Sequence, residues 1–176
     1  MSHKFINIFN AISFYVVWWS CVIGVNLGYN YLGFLITCLF VIFHLRIISD
    51  LKKEWRLLLA CFILGFIIES IHLHSNLLIY KGYIFDNEIF PPLWIICMWV
   101  GFGGTLNYSM VWMKNRWILQ FVMGAVFGPM SYVAGVKLGV INFYYSLEIT
   151  ILVLGVIWGL SIPAMYFLND YFNKEG

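Results

Sequence analysis

Leu57-Leu-Leu-Ala-Cys-Phe-Ile-Leu-Gly-Phe-Ile-Ile-Glu69-Ser-Ile-His72-Leu-His-Ser-Asn76 is long enough to cross a bilayer, and it carries an acid. A spanning helix needs about 20 mostly apolar residues. An ionisable side chain at that depth costs on the order of 3 kcal/mol, so it is expected to face a bundle interior and to have a partner. The run predicts a helical membrane protein and makes Glu69 the first candidate functional residue.

The rest of the chain extends this reading. Of its 176 residues, 62% are hydrophobic and 10% charged. Soluble domains average about 25% charged residues. A net charge of +2 is too small to argue for a nucleic-acid partner. Six spanning runs are expected, at 5–25, 31–48, 57–79, 92–113, 117–137 and 145–168, joined by short connections. The fold class is therefore all-α: a polytopic bundle of six transmembrane helices, forming a single transmembrane domain over residues 1–176. The first run exceeds the usual h-region of a signal peptide and is expected to stay as an anchor.

Charge placement predicts the orientation. Six crossings put Lys4, Arg46, Lys52, Lys53, Arg56, Lys114, Arg116 and Lys174 on one side, and only Lys81 and Lys137 on the other. The positive-inside rule makes the first side cytoplasmic, with both termini on it. Aromatic belts are expected at the two boundaries, Trp55, Trp112 and Trp117 inside, and Trp94, Tyr80 and Tyr83 among those outside.

Cys21, Cys38, Cys61 and Cys97 fall within spans without a C-x-x-C pair, and read as buried thiols. Gly24/Gly28, Gly124/Gly128, Gly135/Gly139 and Gly155/Gly159 are one turn apart, a spacing that lets helices approach closely in lipid. Gly128-Pro129 interrupts the fifth span, where a proline kinks a helix and can open a cavity.

Residues three and four apart share a helix face, so Gly65, Glu69, His72 and Asn76 form one stripe, with His74 turned away. At a rise of about 1.5 Å per residue, Glu69 and His72 lie about 18 and 22 Å from the inner end of their helix. Trp94 and Tyr132 fall at reachable depths. A polar pocket in the outer half is expected, lined by Glu69, His72, Asn76, Trp94 and Tyr132, with Asn26 and Lys137 at its mouth. Lys137 could equally snorkel to the headgroups. Asn107, in the inner half of the fourth span, is a further candidate for ligand binding or for an interhelical hydrogen bond. Glu69 and His72 are the candidate catalytic pair, because a buried carboxyl beside an imidazole can exchange a proton near neutral pH. They could equally bond each other and hold helices in register.

No metal or cofactor is expected. His44 sits about 16 Å from His72 in depth, so the two cannot flank one haem. Di-iron bundles need the acid–histidine motif twice with further glutamates. Here it occurs once, and Glu148 reads as the only other acid near a span.

Two stretches carry a resemblance. They are Pro91-Pro-Leu-Trp94 through Thr105-Leu-Asn107-Tyr-Ser109 to Trp112, and Gly124 through Gly128-Pro129-Met-Ser-Tyr132-Val-Ala-Gly135 to Gly139. With the acidic third span, they resemble a family of small bacterial inner-membrane proteins catalogued as a domain of unknown function. The family pattern often has aspartate at the position of Glu69, so the acid persists here on a longer side chain. The resemblance implies a bacterial cytoplasmic membrane, an association with lipid-modifying genes, and no established activity.

The expected function is binding or modification of a lipid or another hydrophobic small molecule in an intramembrane pocket. The alternatives are a small-solute transporter and a non-catalytic scaffold of a membrane complex. Enzyme or not, and the oligomeric state, stay open.

Overall fold

A computed structural model describes residues 3–48, 50–85 and 88–174. The Lys174 side chain, counted above with the basic side, lies outside the described residues. The chain is 75% helical. The order is α1 (His3–Asn26), α2 (Leu32–Ile47), α3 (Leu51–His74), β1 (Leu78–Tyr80), α4 (Leu93–Gly103), α5 (Trp117–Lys137), β2 (Ile141–Phe143) and α6 (Leu147–Lys174). Four of the helices, α1, α3, α5 and α6, are long and apolar enough to cross a membrane, while α2 and α4 are shorter. The fold departs from all-α by one antiparallel pair, with Leu78 opposite Phe143 and Tyr80 opposite Ile141.

The third helix starts and ends earlier than the hydropathy suggests. Asp50 caps it, its carboxylate accepting from the Lys53 amide at 3.3 Å. Helix formation therefore begins among the charged residues rather than at Leu57. At the far end Asn76 takes a left-handed backbone (φ 55), and the Leu77 amide turns back to the His72 carbonyl at 2.9 Å. Asparagine tolerates that conformation better than most residues. The chain then becomes β1, and its period of two turns Leu78 and Tyr80 inward and Ile79 outward.

The fourth expected span, 92–113, is helical only in its first part. Two adjacent glycines, Gly103 and Gly104, weaken the helix where it ends. The chain continues as turns to a single 3-10 turn at Val111–Met113, rather than as helix to Met113. Irregular backbone at membrane depth is tolerated only when protein satisfies it. Asn10 Nδ2 donates to the Gly104 carbonyl at 2.8 Å, and its Oδ1 accepts from Ser109 Oγ at 2.8 Å. The Tyr166 hydroxyl donates to the Met110 carbonyl at 2.7 Å, and Gln120 Nε2 to the Met113 carbonyl at 2.9 Å.

Glycine pairs lock α5 to α6. A side chain on Gly124 would strike the Trp158 backbone, and one on Gly128 would strike the Trp158 ring. Gly155 and Gly159 answer from α6, against Ala125 and Phe121. The other two pairs do not work this way. Gly28 (φ 79) and Gly139 (φ 74) are turn residues beyond their helices. α5 runs unbroken through Pro129. All four cysteines are free thiols.

Candidate functional site

Glu69 is fully buried, about five turns into α3. Its oxygens face four donors from four elements. Oε1 accepts from Trp99 Nε1 of α4 at 2.7 Å and from the Tyr132 hydroxyl of α5. Oε2 accepts from the Tyr80 hydroxyl of β1 and faces His72 Nδ1, one turn along α3, at 3.3 Å. A carboxylate only accepts, so Nδ1 is the protonated nitrogen of His72. His72 Nε2 is buried and has no hydrogen-bond partner among the described residues.

Local sequence explains each placement. Gly65 precedes Glu69 by one turn, and a side chain there would collide with the Trp99 ring. Gly128 leaves room for Trp158, which stacks on Trp99 with centroids 4.4 Å apart. The Trp99 indole is thus held between α3 and Trp158, with its N–H on Glu69. Hydrogen bonds to a charged group are stronger than neutral ones, so the carboxylate clamps α3, β1, α4 and α5 together.

On the far side of Trp99 and Tyr132 lies a cavity of about 480 Å³. Its floor is α4, with Trp94, Met98 and Trp99. One wall is α1, from Phe14 to Val22, and the other is α5 with Trp158 of α6. Val140 and Ile141 close the end nearest the strands. The sequence reading expected a polar pocket lined by Glu69, His72 and Asn76, whereas this cavity has an almost wholly apolar lining that includes none of the three. Glu69 and His72 do not line it. They stand behind the wall, and Trp99 and Tyr132 carry their contact to the cavity.

The other candidates separate. Tyr132 and Trp94 both line the cavity, and Trp94 Nε1 also donates to the Lys81 carbonyl at 2.7 Å. Trp94 and Tyr80 are buried, not belt residues. Asn76 is not on the stripe, because the helix ends before it and the side chain is exposed. Lys137 and Asn26 are exposed at helix ends and do not line the cavity.

Asn107 belongs elsewhere. Its Nδ2 donates to Glu54 Oε2 at 3.0 Å, and it exchanges amide bonds with Asn169. Glu54 lies 15 residues before Glu69, about 22 Å along α3. The family of proteins of unknown function DUF2878 matches residues 7–164. The chain belongs to DUF2878. No curated protein and no solved structure matches it. The DUF2878 match takes in the whole Glu69 network and the cavity lining, and stops short of Tyr166 and Asn169.

At its basic end the DUF2878 chain holds a second buried acid–imidazole pair, His44 Nε2 to Glu54 Oε1 at 2.9 Å. Phe40 stacks on His44, and Tyr108 meets it edge-on. Glu148 is thus not the only other acid near a span. Glu54 lies before Leu57, outside the third span that hydropathy predicts, but within α3. The face through Gly65 and Glu69 continues backwards through Cys61 and Leu58 to Glu54 at steps of three and four, a signal already present in the sequence. Trp99 and Tyr80 left no comparable signal. Trp99 is one of many aromatics, and Tyr80 depends on a strand hidden at the end of an apolar run.

Proposed function

We propose that this DUF2878 member is a bacterial inner-membrane protein of one domain, crossing the bilayer six times with both ends cytoplasmic. In this reading it binds a lipid or another hydrophobic small molecule within the bundle. The charge asymmetry supports the orientation, with Arg46, Lys52, Lys53, Arg56, Lys114 and Arg116 against Lys81 and Lys137. α2, with 16 residues, is about 24 Å long, somewhat short of a hydrocarbon layer about 30 Å thick.

One observation carries the binding reading: a cavity of about 480 Å³ walled by aromatic rings, two of which are tied to a buried carboxylate. Ligand sites are concave, mostly apolar, largely preformed, and of this size. Here Tyr132 and Trp94 touch the ligand. Glu69 and His72 are positioning residues that keep Trp99 and Tyr132 in place, so the wall needs no ordering when the ligand arrives.

Native mass spectrometry of the purified protein tests this. A retained hydrophobic small molecule is expected, and it should bind more weakly to Ser131→Trp, which places an indole within the cavity. A bare mass for the folded wild-type protein, across mild detergents, would overturn it.

A further inference from the structure

The cavity has a chemistry that narrows its occupant. Its lining residues, all described, include no lysine, arginine, histidine, aspartate or glutamate. An anionic headgroup drawn inside would meet no cation. It would instead approach the Glu69 carboxylate, one side chain behind Trp99 and Tyr132. Like charges in a low-dielectric interior repel strongly, and removing an unpaired ion from water costs several kcal/mol.

The rim points the same way. Tyr15 and Phe127 line the cavity from opposite walls, and are 67% and 54% exposed on the outside of the bundle. Phe127 is about 15 Å from either end of the 21-residue α5, and Tyr15 about 17 Å from either end of α1. With both helices upright in a hydrocarbon layer about 30 Å thick, the opening between them is at mid-membrane. Headgroups do not reside at that depth, whereas acyl chains and neutral apolar molecules do. Gly135 and Met123 both line the cavity and lie 12 residues apart on α5, giving a cleft about 18 Å long.

We infer that the cleft takes an uncharged, chain-like apolar ligand, which enters sideways from the bilayer core between α1 and α5. This rests on the binding reading above and adds to it the charge class and the route. The aromatic walls also allow an alkylammonium, through the faces of Trp18, Trp94 and Trp99. That is the rival outcome of the test.

The test uses the full chain in phosphatidylcholine nanodiscs and three probes on one vicinally dibrominated octadecyl chain: the methyl ester, the sulfate and the trimethylammonium. Bromine quenches indole fluorescence on contact, and Trp18, Trp19, Trp94, Trp99 and Trp158 line the cleft. The ester should quench saturably, be displaced by its unbrominated counterpart, and bind at least about tenfold tighter than either ionic probe. Equal or tighter binding of the sulfate or the ammonium overturns the charge class. Saturable quenching by the ester that Ser131→Trp leaves intact overturns the location. No saturable quenching by any probe overturns the binding reading itself.

Discussion

Four donors on one buried carboxylate make Glu69 the residue whose loss costs most. Glu69→Ala strands the Tyr80 and Tyr132 hydroxyls, the Trp99 N–H and His72 Nδ1 at once. Each buried donor left unsatisfied costs about 1–3 kcal/mol, so a loss of about 4 kcal/mol or more is expected in detergent unfolding followed by circular dichroism. Tyr80→Phe removes one donor and leaves the rest, and should cost only about 1 kcal/mol, as membrane hydrogen bonds commonly do. If the two variants unfold together, the clamp is not centred on Glu69. Asp50 supplies a milder, pH-dependent case at the start of α3. The Lys53 side chain and amide hold its exposed carboxyl below the ordinary carboxylate range. A depressed folded-state value means the cap contributes at neutral pH and is lost as acidity carries the solution through that lowered value. Asp50→Asn should keep the cap at neutral pH, since asparagine caps as well, and remove the dependence of α3 helicity on acid below about pH 4. At this scale the sequence marked Glu69, His72 and Tyr132 but not their geometry. Depth and helical phase are readable from spacing, whereas Trp99 and Tyr80 reach the acid through a glycine contact and a strand that hydropathy does not reveal.

Among the elements, the α5–α6 seam and the turns that follow the short α4 carry the most specific requirements. Gly124→Ala places a methyl against the Trp158 carbonyl, which is backbone and cannot swing away. Overpacking of that kind costs about 1–3 kcal/mol. Gly28→Ala meets no atom but must hold a φ of 79, so its cost is conformational, about 1 kcal/mol. Paired melts should show Gly124→Leu much worse than Gly124→Ala, and Gly28→Leu no worse than Gly28→Ala. Equal size dependence at both sites would refute the distinction. Asn10→Ala should loosen the turns after α4, exposing the amides of Leu106 to Met110 to faster hydrogen exchange, because Gly104 and Ser109 lose their partner. The helices themselves were legible as apolar runs. Their ends were not, because hydropathy does not register the Asp50 cap, the left-handed Asn76 or the Gly103-Gly104 break.

For the whole molecule, orientation is the property most open to direct measurement. The native thiols are buried or half-buried, so an added surface cysteine stands out. Lys81→Cys should react with a membrane-impermeant maleimide on intact cells, and Lys53→Cys only after permeabilisation. The reverse pattern would invert the topology. Between the two acid–imidazole pairs, α3 is packed by Leu57, Cys61, Trp99 and Leu106. The long helices themselves were legible because bilayer thickness dictates run length. The cavity's apolar lining was not, since it depends on which faces of α1, α4 and α5 meet. The Glu69 clamp also imposes an order of events during synthesis. Tyr80 follows the acid by 11 residues, Trp99 by 30 and Tyr132 by 63. When α3 first leaves the ribosome, Tyr80 and Trp99 still lie within the exit tunnel and Tyr132 has not been translated. α3 must wait at the edge of the bilayer or in the insertion machinery until α4 and α5 arrive. A ribosome stalled before Tyr132 should therefore hold a third helix that is still accessible to water.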